Sequence, residues 1–139
     1  MGELPHGMIQ GRLIFLLLEL ADALSLRVVP EIRIQISPTC FRVADVAVWR
    51  AGDIGQRIPT VPPFLVVEIL SAEDRLVRLQ PKIQEYLQHG TAWVWVIDPE
   101  ERRALCYSPA SPGGMLVDEL RTENPAIAVS LTDLLSVLP

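Results

Sequence analysis

From Gly7 to about Leu26, apolar residues recur at positions 9, 13, 16, 17, 20 and 24. That spacing predicts a helix, and further apolar positions widen its stripe until almost no polar face remains. A helix of this kind needs cover on more than one side, because contiguous exposed apolar patches are rare on monomers. A sheet on one side and a second copy of the chain on the other would supply it, so a homodimer is expected. The period then changes to two. Val28 to Ile36 reads as a strand with Ile32, Ile34 and Ile36 on one face and Glu31, Arg33 and Gln35 on the other, turned by Ser37-Pro38-Thr39. Phe41 to Trp49 is the next strand, and strict alternation puts Asp45 on a face with Phe41, Val43, Ala47 and Trp49.

Arg50 to Pro63, rich in Gly and Pro, predicts an exposed loop. Phe64 to Leu70 is apolar on both faces, the pattern of a central strand. A helix is expected from about Pro81, at its first position, to His89, with Gly90 as its stop and Leu79, Ile83, Tyr86 and Leu87 facing the core. Ala92 to Ile97 reads as a strand reached by a right-handed parallel crossover and ended by Asp98-Pro99. Weaker strands around Ala104 to Tyr107 and Met115 to Leu120 form an edge hairpin across a loop holding Pro109, Pro112, Gly113 and Gly114. Ser130 with Asp133 resembles a capping pair for a short last helix through Leu138. There is no internal repeat and no dividing linker. The expectation is one α/β domain over residues 1–139, a mixed sheet flanked by helices.

Half of the 139 residues are apolar, enough for a core without disulfide or metal staples. A net charge of −5 argues against a general electrostatic grip on nucleic acid, so any DNA contact must be local. No basic stripe or groove-reading helix is visible. Cys40 and Cys106 stand apart without CxxC spacing, which indicates neither a zinc site nor a disulfide. Glu19 and Asp22 interrupt the apolar run at Leu13 to Leu18 too soon for a membrane span, and no basic leader precedes it, so a cytoplasmic protein is expected.

Three residues carry candidate chemistry. Glu68 is a carboxylate inside a two-sided apolar strand, costly to bury unless it is paired with an arginine or holds a cation. Asp45 is a second acid among apolar neighbours. Lys82 is the single lysine of a chain whose Lys and Arg total 12, and it follows Glu68 by fourteen positions. Mg²⁺ at phosphoryl sites takes one or two carboxylates, with water and phosphate completing its shell, and a nearby ammonium stabilises charge on the reacting phosphate. Phosphodiester chemistry with Mg²⁺ or Mn²⁺ is the expectation. The plainer readings are a salt-bridged Asp45, a buried Glu68–Arg pair, and a surface Lys82 pairing with Glu85. Glu31 is expected in a surface ion pair beside Arg33, with an auxiliary ligand role as the minority reading. His6 and His89 are too isolated for a metal triad, and Tyr86, Trp93 and Trp95 fall at core spacing.

The order of Pro5-His6-Gly7, Glu31, Arg42-Val43-Ala44-Asp45, Glu68-Ile69-Leu70-Ser71, Lys82, Tyr86, Gly90 and Trp95-Val96-Ile97-Asp98-Pro99 resembles the Uma2 family, also called DUF820, nearly end to end. The resemblance implies a restriction-endonuclease-like PD-(D/E)xK core, Asp45 and Glu68 as metal ligands, and Lys82 as a lysine displaced from its usual place two residues after the second acid, where Leu70 stands. It implies a Mg²⁺-dependent endonuclease acting on DNA. The alternative is a catalytically silent, dimeric interaction or regulatory protein of the same fold. Ala44 and Ala72 stand where the family has prolines, and Arg78 stands where many members carry an aspartate, with Asp74 one turn earlier. The chain also begins late for the family, as a form truncated at its N-terminus would.

Overall fold

A computed structural model describes residues 3–139 of the chain. Helix α1, Leu4–Ala21, starts earlier than its apolar period suggests, because Pro5 fits a first helical turn, where the missing N–H has no partner to lose. It also stops sooner. Leu24 and Ser25 close turns back onto Leu20 and Asp22, and Ser25 at φ +54° swings the chain into strand β1, Leu26–Ser37. The buried residues His6, Ile9, Leu13, Leu17 and Ala21 form a nearly four-residue ladder down α1.

Strand β1 pairs antiparallel with β2, Cys40–Arg50, then β2 with β3, Leu65–Ile69. The crossover helix α2, Leu76–His89, leads to β4, Trp93–Asp98, which lies parallel to β3. Strands β5, Arg103–Ser108, and β6, Ser111–Val117, complete a mixed sheet of order β1-β2-β3-β4-β5-β6. One face carries α1 and the short helix α3, Leu131–Leu135, over Val46, Leu65, Val67, Trp95 and Ile97. The other carries α2 over Ala47, Trp49, Val66, Val94 and Val96. With apolar cover on both faces, β3 is buried throughout, as its two-sided apolar pattern, interrupted by Glu68, implies. The expected mixed α/β architecture is present.

Several details differ from the sequence reading. Alternation fails in β2: Ala44, not Asp45, joins Ala47 and Trp49 on the α2 face, while Phe41 and Val43 are exposed. The cause is a break in the first hairpin. Glu31 sits at φ +49°, the ladder skips the Glu31 and Asp45 pair, and beyond that point the opposite parity faces α2. Helix α2 begins at Leu76, so Pro81 lies inside it. A proline there removes the bond to the carbonyl four residues back, that of Val77, a residue 72% exposed, so water can satisfy the oxygen. The edge hairpin turns on Pro109-Ala110, with Ser108 opposite Ser111, and Pro112 to Gly114 lie within β6. Gly114 is required there, because at φ +81° a Cβ would stand 2.5 Å from the Tyr107 ring. The second strand of that hairpin was expected to run to Leu120. It ends at Val117, and Glu119–Thr122 (β7) pairs instead with Ile127–Ser130 (β8) in a separate small sheet. That sheet supplies Leu120, Ile127 and Val129 to the α1 core. The Ser130 Oγ caps α3 by accepting from the Asp133 N–H, as expected. Gly90, at φ +122°, ends α2 with its N–H on the Tyr86 and Leu87 carbonyls. No helix among the described residues is long and apolar enough to cross a membrane.

Candidate active site

The break at Glu31 and Asp45 opens the sheet beneath the start of α1 and the first turns of α2. A cleft of about 600 Å³ lies there, and Asp45, Glu68 and Lys82 all line it. Asp45 is freed from the β1 ladder and uses its side chain as a strand would use its backbone: Oδ2 accepts from the Ile69 N–H at 2.7 Å, just past the paired part of β2 and β3. Its Oδ1 lies 3.2 Å from the His6 Nε2. Two contacts from two elements therefore fix the rotamer of this carboxylate.

Glu68 points to the α2 face of β3 and is 5% exposed. Lys82, reaching back from α2, places Nζ 2.9 Å from the Glu68 Oε1, and the Tyr86 hydroxyl donates to the same oxygen at 3.2 Å. Burial is the main influence on Glu68 and raises its proton affinity. The Lys82 ammonium opposes that rise and the charge of Asp45 adds to it, which leaves the carboxyl pushed up to about 7. Lys82 bridges β3 and β2, because Nζ also donates to the Val43 carbonyl at 2.7 Å. An ammonium has three protons, and these contacts use two.

Lys82 is thus neither a free surface residue nor the partner of Glu85, which is held by both arms of Arg42 at 2.6 and 2.8 Å. The partner of Glu68 is the lysine, not an arginine. Glu31 is not paired with Arg33: its Oε1 accepts from the Gln10 amide at 3.0 Å, and the same amide nitrogen donates to the Asp45 carbonyl at 2.9 Å. Arg33 stacks over Phe41. His6 is not isolated either. The usable signal was its place on α1, since His6 and Gln10, one turn apart, flank the buried Ile9 and Leu13. Tyr86 is core, as expected, and adds a hydroxyl to the site that spacing does not reveal.

Two hard carboxylate oxygen donors suit Mg²⁺ or Mn²⁺. Lys82 and Tyr86 both address the Glu68 Oε1, which leaves Oε2 for a cation. A buried carboxyl that holds a proton near neutral pH is also one that a divalent ion can occupy in the proton's place. Among the described residues no group of three or more His, Cys, Asp or Glu side chains is gathered to bind an ion, so most ligands must be water and substrate oxygens, the usual condition for Mg²⁺. On donor chemistry, Asp45 and Glu68 fit the ion.

A family model described as "Uma2: Putative restriction endonuclease" matches residues 1–137. Among solved structures, one from Anabaena variabilis, described as a putative nuclease belonging to DUF820, superposes with a TM-score of 0.87 at 24% sequence identity, covering 100% of this chain and 84% of that one. No curated protein matches the chain.

Proposed function

Because the chain belongs to the Uma2 family, we propose that it is a cytoplasmic, divalent-metal-dependent endonuclease that hydrolyses DNA phosphodiester bonds in the cleft between α1 and α2. The observation that carries the reading is the convergence of three side chains from β2, β3 and α2 on one cleft, with the single lysine on the buried acid.

Asp45 and Glu68 would hold Mg²⁺ or Mn²⁺, and the ion, when bound, would neutralise charge on the scissile phosphate and acidify water. The remaining chemistry lies with the chain itself. His6 and the Ile69 N–H keep Asp45 in one rotamer, and Tyr86 and Lys82 do the same for Glu68, so neither acid must reorganise when substrate arrives. The third proton of Lys82 serves a substrate oxygen. Leu70 leaves the usual lysine position empty of charge, and Lys82 supplies that charge from the helix. Two copies of the chain pair through α1, whose Phe15 and Leu18 remain 54% and 53% exposed.

Supercoiled plasmid incubated with Mg²⁺ or Mn²⁺ is expected to be nicked or linearised by the native protein, and neither product should form with Asp45→Asn, Glu68→Gln or Lys82→Met. Cutting that survives all three changes would remove the active site from this cleft. One observation favours a second reading, a catalytically silent dimeric protein of the same fold: Lys82 is already engaged by Glu68 and the Val43 carbonyl. That reading predicts no cutting with any divalent ion.

A further inference from the structure

Helix α2 starts at Leu76, five residues before the proline that sequence alone suggests, and this places Arg78 on the helix and Arg75 at its N-cap. Arg75, Arg78 and Lys82 are spaced i, i+3, i+7, which puts them on one side of α2, and all three line the cleft that holds Asp45 and Glu68. The stripe is inconspicuous in the sequence because it is three residues long and is preceded by Glu73 and Asp74, which offset its charge locally.

Two acids that line the same cleft, Asp74 and Glu3, are engaged elsewhere. The Asp74 Oδ2 accepts from both the backbone N–H and the hydroxyl of Ser71, at 3.1 and 2.8 Å. Burial pushes Asp74 upward, but the Ser71 bonds together with nearby positive charge, His6 included, hold its carboxyl below the usual range. The Glu3 Oε1 accepts from the Ala72 N–H at 2.8 Å. Neither Arg75 nor Arg78 forms an ion pair among the described residues, whereas Arg12, Arg42, Arg103 and Arg121 each do. What sets these two exposed arginines apart from the other unpaired ones is their place: they line the cleft beside Lys82, where their charge is open to an anion entering it.

We infer that Arg75 and Arg78 bind the phosphates of a DNA strand laid along α2, next to the phosphate at Lys82, and so position it over the cleft. From the N-cap to Lys82 the helix advances about 10 Å at 1.5 Å per residue, a reach of two to three successive phosphates of one strand, on the order of one per basic side chain. The contact is to backbone, not to base edges, and gives grip and register without sequence preference. The inference rests on the nuclease reading for its choice of substrate.

The test measures binding and cutting separately. Fluorescence anisotropy with a labelled duplex, titrated in EDTA at several KCl concentrations, gives the slope of log K against log salt. Arg75→Ala and Arg78→Ala are each expected to lower that slope by about 0.9, and the double variant by about 1.8, while Arg121→Ala leaves it unchanged and Arg78→Lys restores it. Slopes for the double variant equal to the native one, or a native protein that binds no duplex, overturn the inference. Plasmid cleavage is run in parallel. Cutting with unaltered slopes rejects the phosphate stripe and leaves the nuclease standing, and altered slopes without cutting in Mg²⁺ or Mn²⁺ uphold the stripe and reject the nuclease.

Discussion

Glu68→Gln isolates the cost of holding a charge at the base of the cleft. The folded state pushes the carboxyl up to about 7 from an ordinary value of 4.5, chiefly through burial. Between those two pH values the folded chain keeps a proton that the unfolded chain has released, so the free energy of unfolding falls as pH rises through this window. An interval of about 2.5 pH units at about 1.4 kcal/mol each gives a loss on the order of 3 kcal/mol, complete just above pH 7. In a chain of this size that corresponds to about 10 °C in Tm. Glutamine keeps an acceptor oxygen for Lys82 and Tyr86 but binds no proton, so the variant lacks this dependence. The assay is urea unfolding of both proteins from pH 4.5 to 8.5 in EDTA, read as the difference between them, which cancels the other titrating groups. The native protein is expected to lose ground steadily to the variant as pH rises. A difference that stays flat, or one that moves in favour of the native protein at high pH, would refute the buried, proton-retaining carboxyl and with it the idea that a cation is needed there.

Magnesium should reverse the penalty: at about one hundred times its dissociation constant it stabilises the native protein by about 2.7 kcal/mol at pH 8, and Glu68→Gln by much less, as thermal scans with and without the ion will show. Tyr86→Phe removes one of the two donors to Glu68, with an expected loss of about 1 kcal/mol at pH 8 and little loss at pH 5, where the carboxyl is protonated; equal losses at both would contradict the assignment. Gly114→Ala forces a methyl into the Tyr107 ring at a positive φ and should lower stability by on the order of 2 to 4 kcal/mol in chemical denaturation. Pro81→Ala restores the N–H facing the exposed Val77 carbonyl inside α2 and is expected to raise Tm by a few degrees; a fall would mean that the proline stabilises the helix.

Most of the sheet was legible because its strands obey period two or, in β3, abandon it. A run such as Phe64 to Leu70 can only be central, and its one acid becomes conspicuous for that reason. The three candidate residues were legible as residue types, Glu68 and Lys82 by their rarity in context and Asp45 through the family pattern. The structure brings all three into one cleft, although the alternation argument for Asp45 failed. That argument assumed an unbroken β2, and nothing local marks the left-handed Glu31 that switches the parity of the hairpin. The start of α2 was misplaced because proline is commonest at a first helical position, and an exposed carbonyl four residues back is a tertiary fact. The same error hid Arg78 as a helical cation. The partners of Asp45 were hidden too, since the His6 contact joins residues 39 positions apart in sequence. Position 118 was read as strand interior because Met115 to Leu120 is largely apolar, whereas the Asp118 carbonyl leaves the ladder to accept from the Leu131 N–H at 2.9 Å.

Manganese binding tests the central claim, that Asp45 and Glu68 together hold one divalent ion beside Lys82. Titration of the native protein followed by the loss of free-ion electron paramagnetic resonance signal is expected to show a single site that tightens as pH rises from 6 to 8, and that disappears in both Asp45→Asn and Glu68→Gln. Undiminished binding in either variant, or a native protein that leaves manganese free at pH 8, would contradict the account.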